Sequence, residues 1–264
     1  MKVVILCGGL GTRLREETEF RPKPMVYIGN KPILWHIMKY YSHYGFKDFV
    51  LALGYKGDMI KKYFYNYEFL NNDFTLELGS PEKTVIHHAH QETGWRVTLV
   101  DTGEKTLKGA RLKHVERYID SEEFLVTYGD GLADINLPQL IDFHRSHKKM
   151  ATLTGINMAS QFGELKINGN QVEEFREKPK DAPGFINGGF FVFHRNIFNY
   201  LNKDEQCDLE YGALEQLAKE NQLMVYKHTG TWACMDTLRD MDHLNGLWKD
   251  RKAFWKVWPN GFGH

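Results

Sequence analysis

A glycine-rich loop and two nearby cations at the start of the chain could bind a nucleotide. The loop, GGLGTR at 8–13, directly follows the apolar run Val3–Cys7. Glycines there let backbone N–H groups approach phosphate oxygens without intervening side chains. Arg13 and Lys23 add a forked guanidinium and an ammonium, which suit a triphosphate. Two familiar phosphate-binding motifs do not fit, because Leu14 replaces a small residue of the dinucleotide fingerprint and no Gly-Lys-Ser/Thr follows.

Two aspartates could hold a divalent cation. Asp130 lies between two glycines at the end of the apolar run 124–128, where a carboxylate needs water, a cation or a metal ion. Asp236 lies much later, just before a predicted helix, and its position alone favours an N-terminal helix cap. Asp134 and Asp240 are nearby carboxylates, which we interpret as supporting or capping residues rather than metal ligands.

The elements that must position these residues alternate along the chain. Continuous apolar runs predict strands buried on both faces of a largely parallel sheet, at 3–7, 49–53 and 124–128. Helical spacing predicts helices between the strands, at 32–44 and 138–147. Ligands of such sheets bind beyond the carboxyl ends of the strands, where both the loop at 8–13 and Asp130 lie. We therefore predict an α/β fold of three layers, α/β/α, around a mixed and mainly parallel central sheet.

Two regions depart from this alternation within the single domain that we predict over residues 1–264. Weakly alternating segments predict a small β excursion at about 71–95. The C-terminal region at about 237–258 is predicted to be helical and contains several aromatic residues, including Trp248, Trp255 and Trp258. We favour core packing for these aromatic side chains over a subunit interface.

The charge balance excludes some classes of partner. Lys and Arg together number 34, as do Asp and Glu, so the formal net charge is zero. Proteins that bind nucleic acid or anionic membranes need a cationic excess, and we predict neither as a partner. No apolar window approaches the roughly 18 residues of a membrane helix. The three cysteines are far apart, which predicts no disulfide framework and a cytoplasmic protein.

The motifs together resemble those of the sugar-1-phosphate nucleotidylyltransferases, also called nucleotide-sugar pyrophosphorylases. The resemblance spans nearly the whole chain and is carried by GGLGTRL at 8–14, PKPM at 22–25, GNKP at 29–32, GD at 129–130, FG at 162–163, EKP at 177–179 and NGG at 187–189. It implies that the three-layer fold is the Rossmann-like nucleotidyltransferase fold. Two departures are small: Cys7 stands where alanine is usual, and Ala110 where a second glycine is expected.

Further segments resemble the branch of this family that transfers a cytidylyl group from CTP to glucose 1-phosphate. They are DTG at 101–103, Thr106, GARLK at 109–113, YGDG at 128–131 and MDTLRD at 235–240. Uridylyl and thymidylyl relatives usually carry a different, Ala- and Gly-rich segment in place of 101–111. A uridylyl- or thymidylyltransferase is the alternative within the family. A glycosyltransferase and a non-catalytic nucleotide-sugar-binding subunit are alternatives from other classes.

The resemblance implies roles for individual residues. Catalysis is assigned to Arg13, Lys23 and Asp130. Nucleotide binding is assigned to Leu6, Gly8, Gly9, Leu10, Gly11, Thr12, Arg13, Lys23, Thr106, Arg111 and Gly129. Sugar-phosphate binding is assigned to Gly163, Glu177, Lys178, Asn187 and Gly188, and Mg²⁺ binding to Asp130 and Asp236. Without the resemblance, Lys23 and the Glu177-Lys178-Pro179 turn could equally be ordinary surface features.

The resemblance also implies a homo-oligomer, with a hexamer as one candidate. The aromatic segments at 63–70 and 248–258 are where we expect its interface.

Overall fold

The computed structural model describes residues 1–80, 83–87, 90, 92–157, 164–168, 171–176 and 184–259, the two segments between 164 and 176 for their backbone alone. The strands are β1 (Val3–Cys7), β2 (Tyr27–Ile28), β3 (Lys31–Pro32), β4 (Asp48–Leu53), β5 (Asp73–Thr75), β6 (Val85–His87), β7 (Arg96–Asp101), β8 (Glu123–Tyr128), β9 (Gly131–Ala133), β10 (Ala151–Asn157), β11 (Glu164–Asn168), β12 (Gln171–Arg176), β13 (Phe185–His194), β14 (Leu223–His228) and β15 (Trp232–Cys234). The α-helices are α1 (Arg15–Thr18), α2 (Ile33–His43), α3 (Gly57–Tyr65), α4 (Tyr67–Asn71), α5 (Lys108–His114), α6 (Leu137–His147), α7 (Glu215–Lys219) and α8 (Leu238–Lys249). A π-helical turn, Leu209–Leu214, leads into α7.

Seven strands form the central sheet in the order β14-β10-β13-β8-β1-β4-β7. Strand β13 runs antiparallel to both of its neighbours, β8 and β10, whereas β1 pairs in parallel with β4 and β8. The other two pairings, of β4 with β7 and of β10 with β14, are also parallel. The prediction of a mixed and mainly parallel sheet is confirmed.

Both faces of the sheet are covered, and nearly every side chain in the apolar runs of the central strands is buried. Val3 and Ile5 pack into one core with the residues of α2, whereas Val4 and Leu6 pack into a second core with α5 and the 209–217 segment. All five residues of β1 are buried. The prediction that these runs are strands buried on both faces is confirmed, and the layers are helix, sheet and helix.

The C-terminal aromatic residues pack against the first layer of helices. Trp255 is fully buried, and its Nε1 donates a hydrogen bond to Nδ1 of His36 at 3.3 Å. The ring of Trp248 lies edge-on to His36, with centroids 4.6 Å apart. Burial lowers the pKa of His36 to about 4, so this ring stays neutral in the core. Core packing, which we favoured for this region, is confirmed for these residues.

The predicted β excursion contains one short antiparallel pair, β5 with β6. The first of these strands ends at Thr75. The apolar side chains beyond it, Leu76 and Leu78, are exposed and do not extend the strand.

Candidate functional site

A cleft of about 470 Å³ opens beyond the carboxyl ends of β1 and β8. It brings together most of the residues that the sequence singled out. Twelve of them line it: Leu6, Gly8, Gly9, Arg13, Lys23, Thr106, Arg111, Gly129, Asp130, Asn187, Gly188 and Asp236. Leu10, Gly11 and Thr12 do not line the cleft. Gly163, Glu177 and Lys178 lie outside the described residues.

The glycine-rich loop has its shape for steric reasons. Gly11 adopts φ +64°, a left-handed conformation that favours glycine, and the 3₁₀ turn Thr12–Leu14 begins directly after it. The Thr18 hydroxyl donates a hydrogen bond to the Gly11 carbonyl at 3.0 Å. At Gly8, a Cβ atom would lie 2.1 Å from Cζ of Arg111, so no larger residue fits in this arrangement.

Lys23 lies between the two candidate metal-binding carboxylates. Its Nζ is 2.6 Å from Oδ2 of Asp130 and 2.5 Å from Oδ1 of Asp236. The guanidinium of Arg13 reaches the other oxygen of Asp236, with Nη1 2.8 Å from Oδ2. Residues from three distant parts of the chain thus form one cluster of two cations and two carboxylates.

The electrostatics of this cluster keep Lys23 and Asp236 charged. Burial opposes the charge on Lys23, but Asp130 and Asp236 outweigh burial and raise the pKa of the ammonium. Burial also opposes the charge on Asp236, but the hydrogen bond and charge of Lys23 lower the pKa of this carboxyl. Both groups are therefore ionised around neutral pH, which a phosphate-binding or metal-binding role needs.

The donor set fits a divalent cation that substrate helps to bind. Two carboxylate oxygens already approach one cationic centre, and Mg²⁺ favours one or two carboxylates together with phosphate oxygens and water. Within the described part of the chain, no group of three or more His, Cys, Asp or Glu side chains could hold a metal ion. A metal site here would therefore be completed by nucleotide phosphates.

Asp236 is not a helix cap, contrary to what its position alone favoured. The cap of α8 is Thr237, whose hydroxyl accepts a hydrogen bond from the backbone N–H of Asp240. The carboxylate of Asp240 in turn accepts from the backbone N–H groups of Thr237, at 2.9 Å, and Asp236, at 3.1 Å. Our interpretation of Asp240 as a capping residue is confirmed, and this capping box leaves the Asp236 side chain free to face the cleft.

Arg111 is buried and bound to the protein itself. Its guanidinium donates to the carbonyl oxygens of Gly8, Leu53, Gly103 and Glu104 and to the Thr102 hydroxyl, at 2.6–3.1 Å. The side chain therefore joins the glycine-rich loop to the segment that follows β7. The role of Arg111 in nucleotide binding stays a prediction, and the contacts seen in the structure are all with the protein itself.

Thr106 lies in the same segment as the groups that Arg111 holds. It is 5% exposed and lines the cleft. Gly103 adopts φ +91°, and a Cβ atom there would lie 2.5 Å from the Thr106 hydroxyl oxygen. Glycine at this position thus allows the segment to turn back and present Thr106 to the cleft.

The opposite wall of the cleft contains a network that the sequence did not reveal. Nδ2 of Asn187 donates to the Tyr128 hydroxyl at 3.0 Å, and this hydroxyl donates to Oε1 of Glu210. Lys108 pairs with the same carboxylate oxygen at 2.5 Å. Trp232 donates from Nε1 to the Gly188 carbonyl at 2.9 Å. No motif marks Lys108, Tyr128, Glu210 or Trp232 as interacting, because they lie in separate elements.

The three described cysteines are free, and two of them line the cleft. Burial and then Asp130 raise the pKa of Cys7, and burial and then Asp236 raise that of Cys234 to about 12. Neither thiol is a ready nucleophile at neutral pH.

Among the described residues, no helix has both the length and the apolar character that spanning a membrane requires.

The cleft lies at the carboxyl edge of a mixed α/β sheet, and its paired cations and carboxylates suit the chemistry of a nucleotidyl transferase. The chain belongs to the nucleotidyl transferase family, whose pattern it matches over residues 2–251. It is 50% identical over 259 residues to the glucose-1-phosphate cytidylyltransferase of Salmonella typhimurium, covering 98% of this chain and 100% of that one. It is 46% identical over 258 residues to the probable glucose-1-phosphate cytidylyltransferase of Bacillus subtilis, covering 98% and 100%.

Solved structures share the fold at low sequence identity. UDP-glucose pyrophosphorylase from Acinetobacter baumanii superposes with a TM-score of 0.67 at 19% identity, covering 96% of this chain and 95% of that one. This likeness concerns the fold, which is the nucleotidyltransferase fold that the sequence predicted.

Proposed function

We propose that this protein transfers the cytidylyl group of CTP to glucose 1-phosphate, forming CDP-glucose and pyrophosphate. One observation carries the proposal: Arg13, Lys23, Asp130 and Asp236 converge in one cleft next to the glycine-rich loop. The relatives that match the full chain at 46–50% identity carry the name of this activity.

The reaction needs charge neutralisation more than proton transfer. The nucleophile is an oxygen of the sugar phosphate, which is largely ionised at neutral pH because the second pKa of a phosphate monoester is about 6. The obstacle is the repulsion between two polyanions. The protein must align the acceptor phosphate with the α-phosphorus of CTP and neutralise charge on the leaving pyrophosphate. The bond from the α-phosphorus to the pyrophosphate oxygen breaks as the bond to the sugar-phosphate oxygen forms.

Each charged group has a place in this scheme. Arg13, whose side chain is 73% exposed, can turn from Asp236 towards the triphosphate. Lys23, whose side chain is 12% exposed, is proposed to hold the α-phosphate. Asp130 and Asp236 would hold a divalent cation, for which we propose Mg²⁺. When bound, this ion would neutralise the nucleotide phosphates. Glu177 and Lys178, with Gly163, Asn187 and Gly188, are proposed to bind the sugar phosphate.

The base is proposed to lie against the segment that Arg111 holds. Thr106 lines the cleft in this segment, and Arg111 fixes its distance from the glycine-rich loop. A uridylyl- or thymidylyltransferase would use the same phosphate-binding groups, so base selectivity is what separates these alternatives.

We also propose that the protein acts in the cytoplasm. Its free cysteines agree with a reducing compartment.

A pyrophosphate-release assay tests the function directly. The purified protein is incubated with Mg²⁺, glucose 1-phosphate and one of CTP, UTP, dTTP, GTP or ATP. We expect CTP to give the fastest release, by about ten-fold or more over each other nucleotide, the scale of one well-placed hydrogen-bonding contact. Release with UTP or dTTP but not CTP would overturn the base assignment. No release with any nucleotide would favour a binding subunit or a glycosyltransferase.

We also propose that the protein is a homo-oligomer. Tyr65 is 88% exposed, and Phe69, Leu70 and Phe74 are exposed nearby, which makes an apolar surface that a second copy would cover. The segment at 248–258 is the weaker candidate, because its tryptophans pack against the core. Light scattering measures the mass: a single 30.8 kDa species at micromolar concentration would contradict the proposal. A Tyr65→Glu/Leu70→Glu variant is expected to shift the mass to the monomer.

A further inference from the structure

Glu210 occupies a position in the fold that core packing does not explain. It lies in the π-helical turn Leu209–Leu214, where Tyr211 departs from helical geometry and Asp208 accepts hydrogen bonds from the backbone N–H groups of both Glu210 and Tyr211. Such π-helical turns are rare and frequently found at functional sites. One carboxylate oxygen, Oε2, is buried and has no hydrogen-bond partner among the described residues. Burying a carboxylate in this way costs stability, so a purpose other than stability is implied.

The other oxygen of Glu210 ends a directed chain of hydrogen bonds. Oε1 accepts from the Tyr128 hydroxyl and lies 2.5 Å from Nζ of Lys108. Burial and then the charge of Glu210 raise the pKa of Tyr128, so this hydroxyl keeps its single proton. Because that proton points at the carboxylate, the Tyr128 oxygen can only accept from its other neighbour.

That other neighbour is the side-chain amide of Asn187. Its Nδ2 donates to Tyr128 at 3.0 Å, and its Oδ1 accepts from the backbone N–H of Gly189 at 2.9 Å. Two hydrogen bonds therefore fix the orientation of the Asn187 amide. The second Nδ2–H remains available as a donor, and Asn187 lines the cleft. Without an acceptor at position 210, the Tyr128 hydroxyl could turn and donate to the Oδ1 of a flipped Asn187 amide, so the constraint that Tyr128 places on this amide would be lost.

We propose that Glu210 and Tyr128 are positioning residues that orient the Asn187 amide, so that it donates an N–H to a hydroxyl of the sugar 1-phosphate. This inference rests on the proposed function, because it deepens the acceptor half of the same cleft. Neither residue touches the reacting phosphorus in this scheme. They act on the substrate only through Asn187. They therefore affect binding of the acceptor rather than binding of the nucleotide.

Steady-state kinetics of Glu210→Leu, which removes the acceptor oxygens, and of Tyr128→Phe test this assignment. Each change is expected to raise KM for glucose 1-phosphate about ten-fold, the scale of one hydrogen bond to substrate, and to change KM for CTP less than about two-fold. The double variant Tyr128→Phe/Glu210→Leu is expected to match either single variant, because the effects of residues that act through one series of hydrogen bonds do not add. Glu215→Leu, at an exposed carboxylate five positions further along the sequence, is the matched control and should match the wild type.

The outcomes separate the positioning role from a structural one and from failure of the proposed function. Three kinetic results would each overturn the positioning role. They are equal increases in KM for CTP and glucose 1-phosphate, unchanged KM values, and a KM for glucose 1-phosphate that rises about 100-fold in the double variant. A variant that only lowers the melting temperature would overturn it too. If the wild type itself forms no CDP-glucose, the proposed function fails first, and the inference fails with it.

Discussion

The two halves of the cleft, which we propose to bind the nucleotide and the acceptor, present different kinds of groups. The nucleotide half presents full charges, from Arg13, Lys23, Asp130 and Asp236. The acceptor half, in its described part, presents the neutral amide of Asn187 beside the Tyr128 hydroxyl. A cationic group attracts a phosphate from many directions, whereas an amide binds a ligand only if its donor end faces that ligand. The acceptor half therefore needs an orienting network, and the nucleotide half needs convergence of charge.

The sharpest test of the nucleotide half is the loss of one charge at its centre. Asp130→Asn keeps the shape of the side chain but removes the carboxylate that lies 2.6 Å from Lys23. We expect turnover to fall at least about 100-fold, the scale of losing one preorganised charge-stabilising group. The pyrophosphate-release assay measures this, with Asp142→Asn on the exposed side of α6 as the matched control. Near-normal turnover in folded Asp130→Asn protein would remove Asp130 from the mechanism.

A smaller effect is expected where the nucleotide half does depend on orientation. Arg111→Lys keeps the charge but cannot reproduce a planar fork that donates to four carbonyl oxygens and a hydroxyl. We expect KM for CTP to rise about ten-fold, with KM for glucose 1-phosphate nearly unchanged. Arg117→Lys, an exposed change of the same type, should leave both values as they are. Equal shifts in both KM values would show that Arg111 supports the whole cleft.

The smallest effect is expected at the edge of the acceptor half. Trp232→Phe keeps an aromatic ring but loses the hydrogen bond from Nε1 to the Gly188 carbonyl. We expect KM for glucose 1-phosphate to rise about three-fold to five-fold, and kcat to stay within about two-fold. Trp258→Phe, which changes a ring that packs edge-on to Trp35, is the control and should affect stability alone. A larger effect on CTP than on glucose 1-phosphate would place Trp232 in the nucleotide half.

The sheet and the nucleotide half could be predicted because their signals are local. The run Val3–Cys7 is buried on both faces of the sheet, and its continuous apolar pattern predicts this burial directly. The glycine-rich loop and Asp130 each follow such a run, and the carboxyl edge of a parallel sheet brings such positions together. Lys23 follows no such run and was identified by the PKPM motif at 22–25. Asp236 was harder, because a carboxylate just before a helix resembles a cap until Thr237 and Asp240 are seen to form the capping box.

The acceptor network could not be predicted, because its residues share no spacing. Tyr128 and Asn187 are separated by 59 positions, and Tyr128 and Glu210 by 82. Glu210 also depends on a π-helical turn, whose extra residue per turn shifts the periodicity that sequence patterns use. The internal contacts of Arg111 could not be predicted for a related reason: its partners are mostly backbone carbonyls, which every residue carries.

The sequence by itself determined which strands are buried and which residue types gather at the carboxyl edge, because hydrophobic periodicity and glycine placement are properties of short segments. It also indicated the family, since the motifs lie in the order and spacing of that family. Only the tertiary structure decided that Lys23 lies between Asp130 and Asp236, and that Glu210 directs the Asn187 amide through Tyr128. Charges close in space and the sense of a hydrogen-bond chain depend on how distant segments pack, and no local pattern encodes that packing.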